Sequence, residues 1–95
     1  MKGVIEMATL FVRHKVKQYD AWKVAYDAFG AERKTMGVTT HAVYQAADNP
    51  NDLTISHEFD NMDAAKAFMD SPRLKEVMTT AGVVGPPDIW FTNKK

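Results

Sequence analysis

The side chains best suited to chemistry in this 95-residue chain are Arg13 and the three histidines, His14, His41 and His57. An imidazole can act as a general base near neutral pH or bind a metal ion, and a guanidinium can stabilise a developing negative charge. The chain has no cysteine, which removes thiol nucleophiles, thiolate metal ligands and disulfides together.

Arg13 and His14 are neighbours in the stretch LFVRHKV, residues 10–16, which is typical of a strand. Because consecutive strand residues point to opposite faces, the two side chains cannot line the same pocket. His14 shares its face with the apolar residues of the stretch, so we expect it to be buried and uncharged, and it is the first candidate for a catalytic base. Arg13 shares its face with Phe11 and Lys15, which favours an ion pair at the sheet edge or at a dimer rim.

Convergence of the three histidines depends on strand register. A hairpin centred near Asn49 places His41 opposite His57 on one face of the sheet, and His14 joins them only if its strand has the matching parity. Converging imidazoles could bind a metal ion or a substrate. Strand histidines without an H-x-H or H-x-x-x-H spacing are more often separate polar residues. We therefore expect no metal site and keep His41 and His57 as ligand-binding candidates.

Glu58 follows His57 directly, so alternation points its side chain to the opposite face and prevents it from orienting that imidazole. Arg13 lies on a neighbouring predicted strand. A cross-strand ion pair between Arg13 and Glu58 is the expected arrangement of these charges. Arg13 is also kept among the ligand-binding candidates.

Aromatic side chains could line a pocket of the size that an aromatic ligand needs. The candidates lie on both predicted helices and on two strands: Trp22, Tyr26, Phe68, Tyr44 and Trp90. An aromatic stripe at helical spacing more often forms core, but a pocket beneath the helices would be lined by the same residues. The hydroxyl groups of tyrosine and the indole N–H of tryptophan could orient a ligand.

The hydrophobic pattern predicts the element order β-α-β-β-α-β. The expected strands are residues 7–16, 38–46, 52–59 and 88–93. The expected helices are residues 18–37, and residues 61–82 in two pieces that meet at Ser71-Pro72. One domain is expected over residues 1–95, with its core at about 7–92.

Local signals predict where the helices begin and end. Asp20 is a candidate N-cap of the first helix, with Tyr19 and Val24 spaced as a hydrophobic staple, and Asn61 is a candidate N-cap of the second. Gly37 suits the left-handed position that ends a helix.

Short connections and right-handed crossovers fold this order into a ferredoxin-like α+β domain. The sheet is antiparallel with strand order 4-1-3-2, and both helices cover one face. The strands carry apolar residues that two short helices cannot all cover: Phe11, Val12, Val43, Ile55, Phe59, Trp90 and Phe91. Since a large apolar sheet face usually has a partner, we expect a homodimer formed through the open face.

Charge and composition limit the partners. Twelve basic and twelve acidic side chains give a formal net charge of zero, so no general attraction for nucleic acid or an anionic membrane is expected. No stretch approaches the roughly 20 apolar residues of a membrane span. The start MKGVIEM has no apolar export signal, which favours a cytoplasmic location.

Three stretches, in this order and spacing, resemble a known superfamily: FVRHKVKQYDAWK, GVTTHAVYQAADNPND and AGVVGPPDIWF. The chain is similar to the dimeric α/β-barrel superfamily, and within it to small antibiotic-biosynthesis-monooxygenase-like domains, over about residues 8–92. The resemblance implies two ferredoxin-like sheets packed face to face, with a pocket between the helices and the sheet of each subunit. Superfamily members include cofactor-independent oxygenases of polycyclic aromatics, isomerases, haem enzymes and proteins of no known activity.

Two hypotheses of function follow. In the first, a cofactor-free monooxygenase- or cyclase-like enzyme uses an apolar pocket to form an enolate or phenolate of an aromatic or polyketide-like substrate, with His14 as base. In the second, a non-catalytic homodimer binds a small ligand or stabilises other components of a pathway. The sequence leaves open whether the chain is an enzyme.

Overall fold

The computed structural model describes residues 6–95. The strands are β1 (Ala8–Val16), β2 (Thr40–Ala46), β3 (Asn49–Phe59) and β4 (Val83–Asn93). The helices are α1 (Tyr19–Ala28), α2 (Gly30–Thr35), α3 (Met62–Asp70) and α4 (Pro72–Thr80).

The four strands form one antiparallel sheet in the order β2-β3-β1-β4, with the helices on one face. This confirms the ferredoxin-like fold predicted from the sequence. The β2–β3 register places His41 opposite His57, and the β1–β3 register places His14 opposite Leu53, two residues before Ile55 and four before His57. All three histidines therefore have the parity of the face that the helices cover.

The start of α1 differs from the prediction. Gln18 is the N-cap residue and makes no side-chain cap, while Asp20 lies in the first turn of the helix. The Asn51 side chain accepts a hydrogen bond from the Tyr19 backbone N–H at 2.8 Å, so β3 supplies the cap instead. Val24 is exposed and forms no hydrophobic staple.

The first predicted helix divides into α1 and α2 at Phe29. The break does not change the buried face, because Trp22, Tyr26, Phe29 and Arg33 all point into the protein. Gly37 ends α2 with φ +103°, as predicted, and the Val38 N–H donates to the Arg33 carbonyl at 3.3 Å.

The second helical region follows the prediction closely. The Asn61 side chain caps α3 by accepting from the Ala64 N–H at 2.8 Å, and Ser71-Pro72 separates α3 from α4. Strand β4 begins earlier than predicted, because the stretch VVGPPD is extended rather than a turn. Gly85 has φ +73° beside the register shift between Arg13 and Lys15. β4 is an edge strand, which tolerates its two prolines.

The apolar strand residues divide between the two faces of the sheet. Val12, Ile55 and Phe59 lie beneath the helices and are buried. On the open face, Phe11 stacks against Trp90 with ring centroids 5.5 Å apart, and most neighbouring positions carry hydroxyl or charged groups. Ile55 therefore belongs to the domain's own core and does not contribute to the open face.

Candidate functional site

A small cavity of about 50 Å³ lies between the helices and the covered face of the sheet. Strands β1 and β3 and all four helices contribute to its wall. Most of the lining side chains are apolar: Val12, Trp22, Phe29, Ile55, Phe68, Met69, Leu74, Val77, Met78 and Ala81. The polar groups in the wall come from four residues: His14, Tyr26, Arg33 and His57. A few polar groups converging in an apolar hollow are the usual composition of a ligand site.

His14 and His57 enter the cavity wall from adjacent strands. They are 7% and 6% exposed, and the Nδ1 atom of each is buried without a hydrogen-bond partner among the described residues. The His14 ring meets the edge of Trp22 at a centroid distance of 5.9 Å, and the His57 ring lies 5.1 Å from Phe68. Such buried nitrogen atoms are uncommon in proteins and call for an explanation.

Burial determines the protonation state of both imidazoles. Desolvation lowers the pKa of His14, while the polar backbone of the same residue and the Asp52 carboxylate act in the opposite direction. Desolvation lowers the pKa of His57 to about 3, and the positive charge of Arg33 contributes to the shift. Both rings are therefore uncharged at neutral pH, as expected for His14 from its strand position.

Arg33, on α2, places a cation in the same wall and is only 4% exposed. Its guanidinium carbon lies 3.8 Å from the centroid of the Tyr26 ring, and Nη1 donates to the Tyr26 carbonyl at 3.0 Å. Burial lowers the pKa of Arg33, but a guanidinium keeps its proton in proteins. The cavity therefore combines uncharged imidazoles with a buried positive charge.

Tyr26 connects the cavity to the protein surface. Its ring stacks on Trp22 at a centroid distance of 4.7 Å, and its hydroxyl group lies 2.7 Å from Nδ1 of His41. Burial raises the pKa of Tyr26 to about 12, and burial lowers the pKa of His41. The phenol and the imidazole are thus both neutral and share one hydrogen bond, with His41 on the exposed side of the pair.

Five of the residues proposed from the sequence line the cavity: His14, Trp22, Tyr26, His57 and Phe68. His41 contacts the cavity only through Tyr26. Tyr44 and Trp90 lie on the open face, 58% and 42% exposed, and do not reach the cavity.

Arg13 also lies on the open face, where two of its nitrogen atoms donate to the Asp52 carboxylate at 3.1 and 2.9 Å. Glu58 pairs with Lys94 at 3.1 Å. The predicted ion pair between Arg13 and Glu58 is wrong, because Thr54, not Glu58, lies opposite Arg13 in the β1–β3 register.

Arg33 is the site residue that the sequence did not reveal. It falls on the apolar face of the predicted helix, and a charged residue on such a face was the available signal. Within residues 6–95, no group of three or more histidine, aspartate and glutamate side chains is arranged to hold a metal ion. None of the helices in this part of the chain has the length and hydrophobicity that a membrane crossing requires.

The sequence matches no family model and no curated protein. Solved structures nevertheless share its fold over nearly the whole chain. A candidate antibiotic biosynthesis monooxygenase from Bordetella bronchiseptica superposes with a TM-score of 0.80 at 14% identity, covering 95% of this chain and 98% of its own. The chain has the fold of the antibiotic biosynthesis monooxygenase-like proteins.

Two further structures extend this similarity. A candidate antibiotic biosynthesis monooxygenase from Nitrosomonas europaea has a TM-score of 0.75 at 15% identity and covers 99% of this chain and 95% of its own. SnoaB, a cofactor-independent oxygenase from Streptomyces nogalater, has a TM-score of 0.72 at 14% identity and covers 95% of this chain and 96% of its own. The fold expected from the resemblance is confirmed.

The burial of His57 predicts a specific dependence of stability on pH. The unfolded chain binds a proton at this residue below about pH 6.5, and the folded chain does so only near pH 3. The contribution of neutral His57 to the free energy of unfolding is therefore fully present above about pH 6.5. This contribution decreases as the pH falls from about 6.5 towards 3. The free energy of unfolding would be measured with urea at pH 7, 6 and 5. As the pH falls, it should decrease more steeply in the parent than in His57→Gln, by up to about 1.4 kcal/mol per pH unit.

The exposed His41 supplies the control for this comparison. His41→Gln should keep most of the parent's pH dependence, since its imidazole is much less buried than that of His57. Equal slopes for the parent and His57→Gln would show that His57 takes up a proton as readily in the folded protein as in the unfolded chain.

Proposed function

We propose that this chain is a cofactor-independent small-molecule enzyme, monooxygenase- or cyclase-like, acting on an aromatic or polyketide-like substrate in the cavity beneath its helices. The observation that carries the proposal is the pair of buried, uncharged imidazoles that line one apolar cavity, each with an Nδ1 atom that has no hydrogen-bond partner among the described residues. A neutral imidazole nitrogen is the atom that a general base needs, and a low-dielectric wall strengthens its interaction with a reacting group.

His14 is the preferred base. The pKa of His57 is lowered to about 3, so its conjugate acid would lose a proton too easily to hold one taken from a substrate. His14 is also buried, but the Asp52 carboxylate and the polar backbone of His14 itself favour its charged form, and Arg33 is not among the charges that act on it. In this arrangement His14 removes the proton from the substrate. Arg33 acts on the other imidazole, His57, whose protonated form is less stable.

The reaction balances without a cofactor when the substrate supplies the electrons. Removal of a proton from an activated C–H or phenolic O–H group gives a carbanion or phenolate, which can reduce molecular oxygen. Carbon–oxygen bond formation gives a peroxide, and loss of water then leaves a carbonyl group. One substrate methylene group and one O₂ become one carbonyl group and one H₂O. A cyclase would use the same first step and direct the enolate to a carbonyl carbon of the substrate instead.

The size of the cavity implies that its wall moves when a substrate binds. About 50 Å³ holds one or two water molecules, whereas sites for drug-sized ligands run from about 300 Å³ upward. Met69 and Met78 are flexible side chains in the wall, and α4 meets α3 at the break before Pro72. We expect the cavity to open when α4 is displaced and Met69 and Met78 repack.

The solved structures support the proposal at the level of fold. SnoaB is described as a cofactor-independent oxygenase, and it has the same architecture over almost its full length. Its identity to this chain is only 14%, so the reaction assigned to this chain depends on the cavity residues themselves.

The alternative is a non-catalytic homodimer that binds a small ligand. The observation that favours it is the small volume of the cavity, which suits a protein stabilised by its own packing as well as an enzyme that has no substrate bound. Binding of an aromatic ligand without oxygen consumption or any change in the ligand would select this alternative. The cytoplasmic location stays a prediction from the sequence.

We also propose that two copies associate through the open faces of their sheets. Phe11, Trp90 and Tyr44 give this face exposed aromatic surface among charged and hydroxyl groups, a composition found in protein interfaces. Light scattering at micromolar concentration should show a dimer for the parent and a monomer for Trp90→Glu. Val24→Glu changes an apolar residue on α1 that is even more exposed than Trp90, and this variant should remain dimeric. A monomeric parent, or a Trp90→Glu variant that stays dimeric, would contradict the proposal.

The catalytic assignment predicts the effect of His14→Ala. A panel of phenols, hydroquinones and enolisable aromatics of one to three rings would be tested for oxygen uptake. For any active compound, loss of the base should lower turnover by roughly 100-fold or more, while the circular dichroism of the fold is kept. Adding catalase at the end separates monooxygenation, which yields water, from simple oxidation, which yields hydrogen peroxide and returns oxygen.

Lys15→Ala is the matched control, because Lys15 is the next residue of β1 and its exposed side chain points to the open face. It should keep the parent's turnover. Equal rates for the parent and His14→Ala would remove His14 as the base, and no turnover of any compound would favour the ligand-binding alternative.

A further inference from the structure

Arg33 is a buried cation without an acidic partner. No aspartate or glutamate carboxylate within residues 6–95 lies within 4.0 Å of its guanidinium, although other arginines of the chain form such pairs. Its contacts are the face of the Tyr26 ring and the Tyr26 carbonyl oxygen. A charge removed from water and left unpaired is costly, so proteins rarely keep one without a use for it.

The rest of the cavity wall cannot balance this charge. His14 and His57 are neutral, and the remaining lining side chains are apolar apart from the Tyr26 phenol. Arg33 offers five N–H donors in a planar fork, and the bond to the Tyr26 carbonyl occupies one of them. A planar fork of this kind matches an anionic oxygen or a carboxylate.

Arg33 can also be reached from outside the cavity. It forms part of a surface groove between α2 and the start of β2, together with Gly30, Lys34, Thr39 and His41. Lys34 adds a second positive charge to this groove, and Asp60 contributes one carboxylate to the same groove without pairing with Arg33. The guanidinium thus separates the surface groove from the two imidazoles.

We propose that the site binds an aromatic ligand through an ionised oxygen, a carboxylate, phenolate or enolate, that pairs with Arg33 while the ring enters the cavity between Trp22 and Phe68. This inference rests on the proposed function only in taking the cavity as the ligand site. It assigns to the ligand a negative charge in direct contact with Arg33, which no carboxylate of the described residues supplies, since Asp27 acts on the guanidinium only from beyond ion-pair distance. It also assigns Arg33, rather than a histidine, as the residue that selects acidic aromatics over neutral ones.

The test compares ligands that differ in charge and little in shape. Binding of 2-naphthoate and 2-naphthamide would be measured by calorimetry and by quenching of tryptophan fluorescence at pH 7, with benzoate and benzamide as a smaller pair. The parent should bind each carboxylate roughly 10- to 100-fold more tightly than its amide. A second pair, 2,4-dinitrophenolate and 2,4-dinitroanisole, shows whether the site accepts a phenolate as well as a carboxylate.

Variants locate the preference at Arg33. Arg33→Met, of similar length, should bind acid and amide with equal affinity, and Arg33→Lys should recover part of the preference. Lys66→Gln removes the same charge from an exposed position of α3 that lines neither the cavity nor the groove, and it should keep the parent's preference within about threefold. Because an unpaired buried charge adds little to stability, Arg33→Met should melt at a temperature close to or above that of the parent. A purely structural arginine would give a lower melting temperature and no change in ligand preference.

The measurements distinguish failure of the anion site from failure of the proposed enzyme activity. A preference for the acid that disappears in Arg33→Met, without oxygen uptake by any compound, supports the anion site and removes the oxygenase. Oxygen uptake with neutral compounds and equal binding of acid and amide removes the anion site and leaves the oxygenase. Absence of binding by the parent to every acid at millimolar concentration also overturns the inference.

Discussion

Two imidazoles and a guanidinium occupy the covered face of the sheet and the helix above it, where apolar side chains would otherwise pack. His14 and His57 have their Nδ1 atoms buried without partners, and Arg33 has no acidic partner within the described chain. An apolar side chain of the same volume would make the folded protein more stable than each of these buried polar groups does. Their presence in one cavity is the feature that sets the protonation states, the preference for an anion and the chemistry proposed for the chain.

The parts of the fold that depend on local signals could be predicted from the sequence. Strand alternation put Arg13 and His14 on opposite faces of the sheet, with His14 the more buried, and a short hairpin put His41 opposite His57. Asn61 and Gly37 carried their usual capping signals. These features follow from neighbouring residues, so no knowledge of tertiary contacts was needed.

Features that depend on residues distant in sequence were missed or misassigned. The start of α1 is capped by Asn51 of β3, which no local pattern around Asp20 could indicate. Arg13 pairs with Asp52 instead of Glu58 because the choice depends on diagonal geometry across the strands. Arg33 looked like an interruption of an apolar helical face, and only the packed structure shows that its charge lies in the cavity wall without a carboxylate.

The central claim is that His14 and His57 are uncharged and line one cavity in which a ligand binds. The most direct measurement is ¹⁵N NMR of the imidazole nitrogens, recorded at pH 7 with and without 2-naphthoate. The account predicts neutral imidazole shifts for both residues, with both sets of resonances changing as the ligand binds. A charged imidazole at either position at pH 7, or resonances that stay unchanged at saturating ligand, would contradict it.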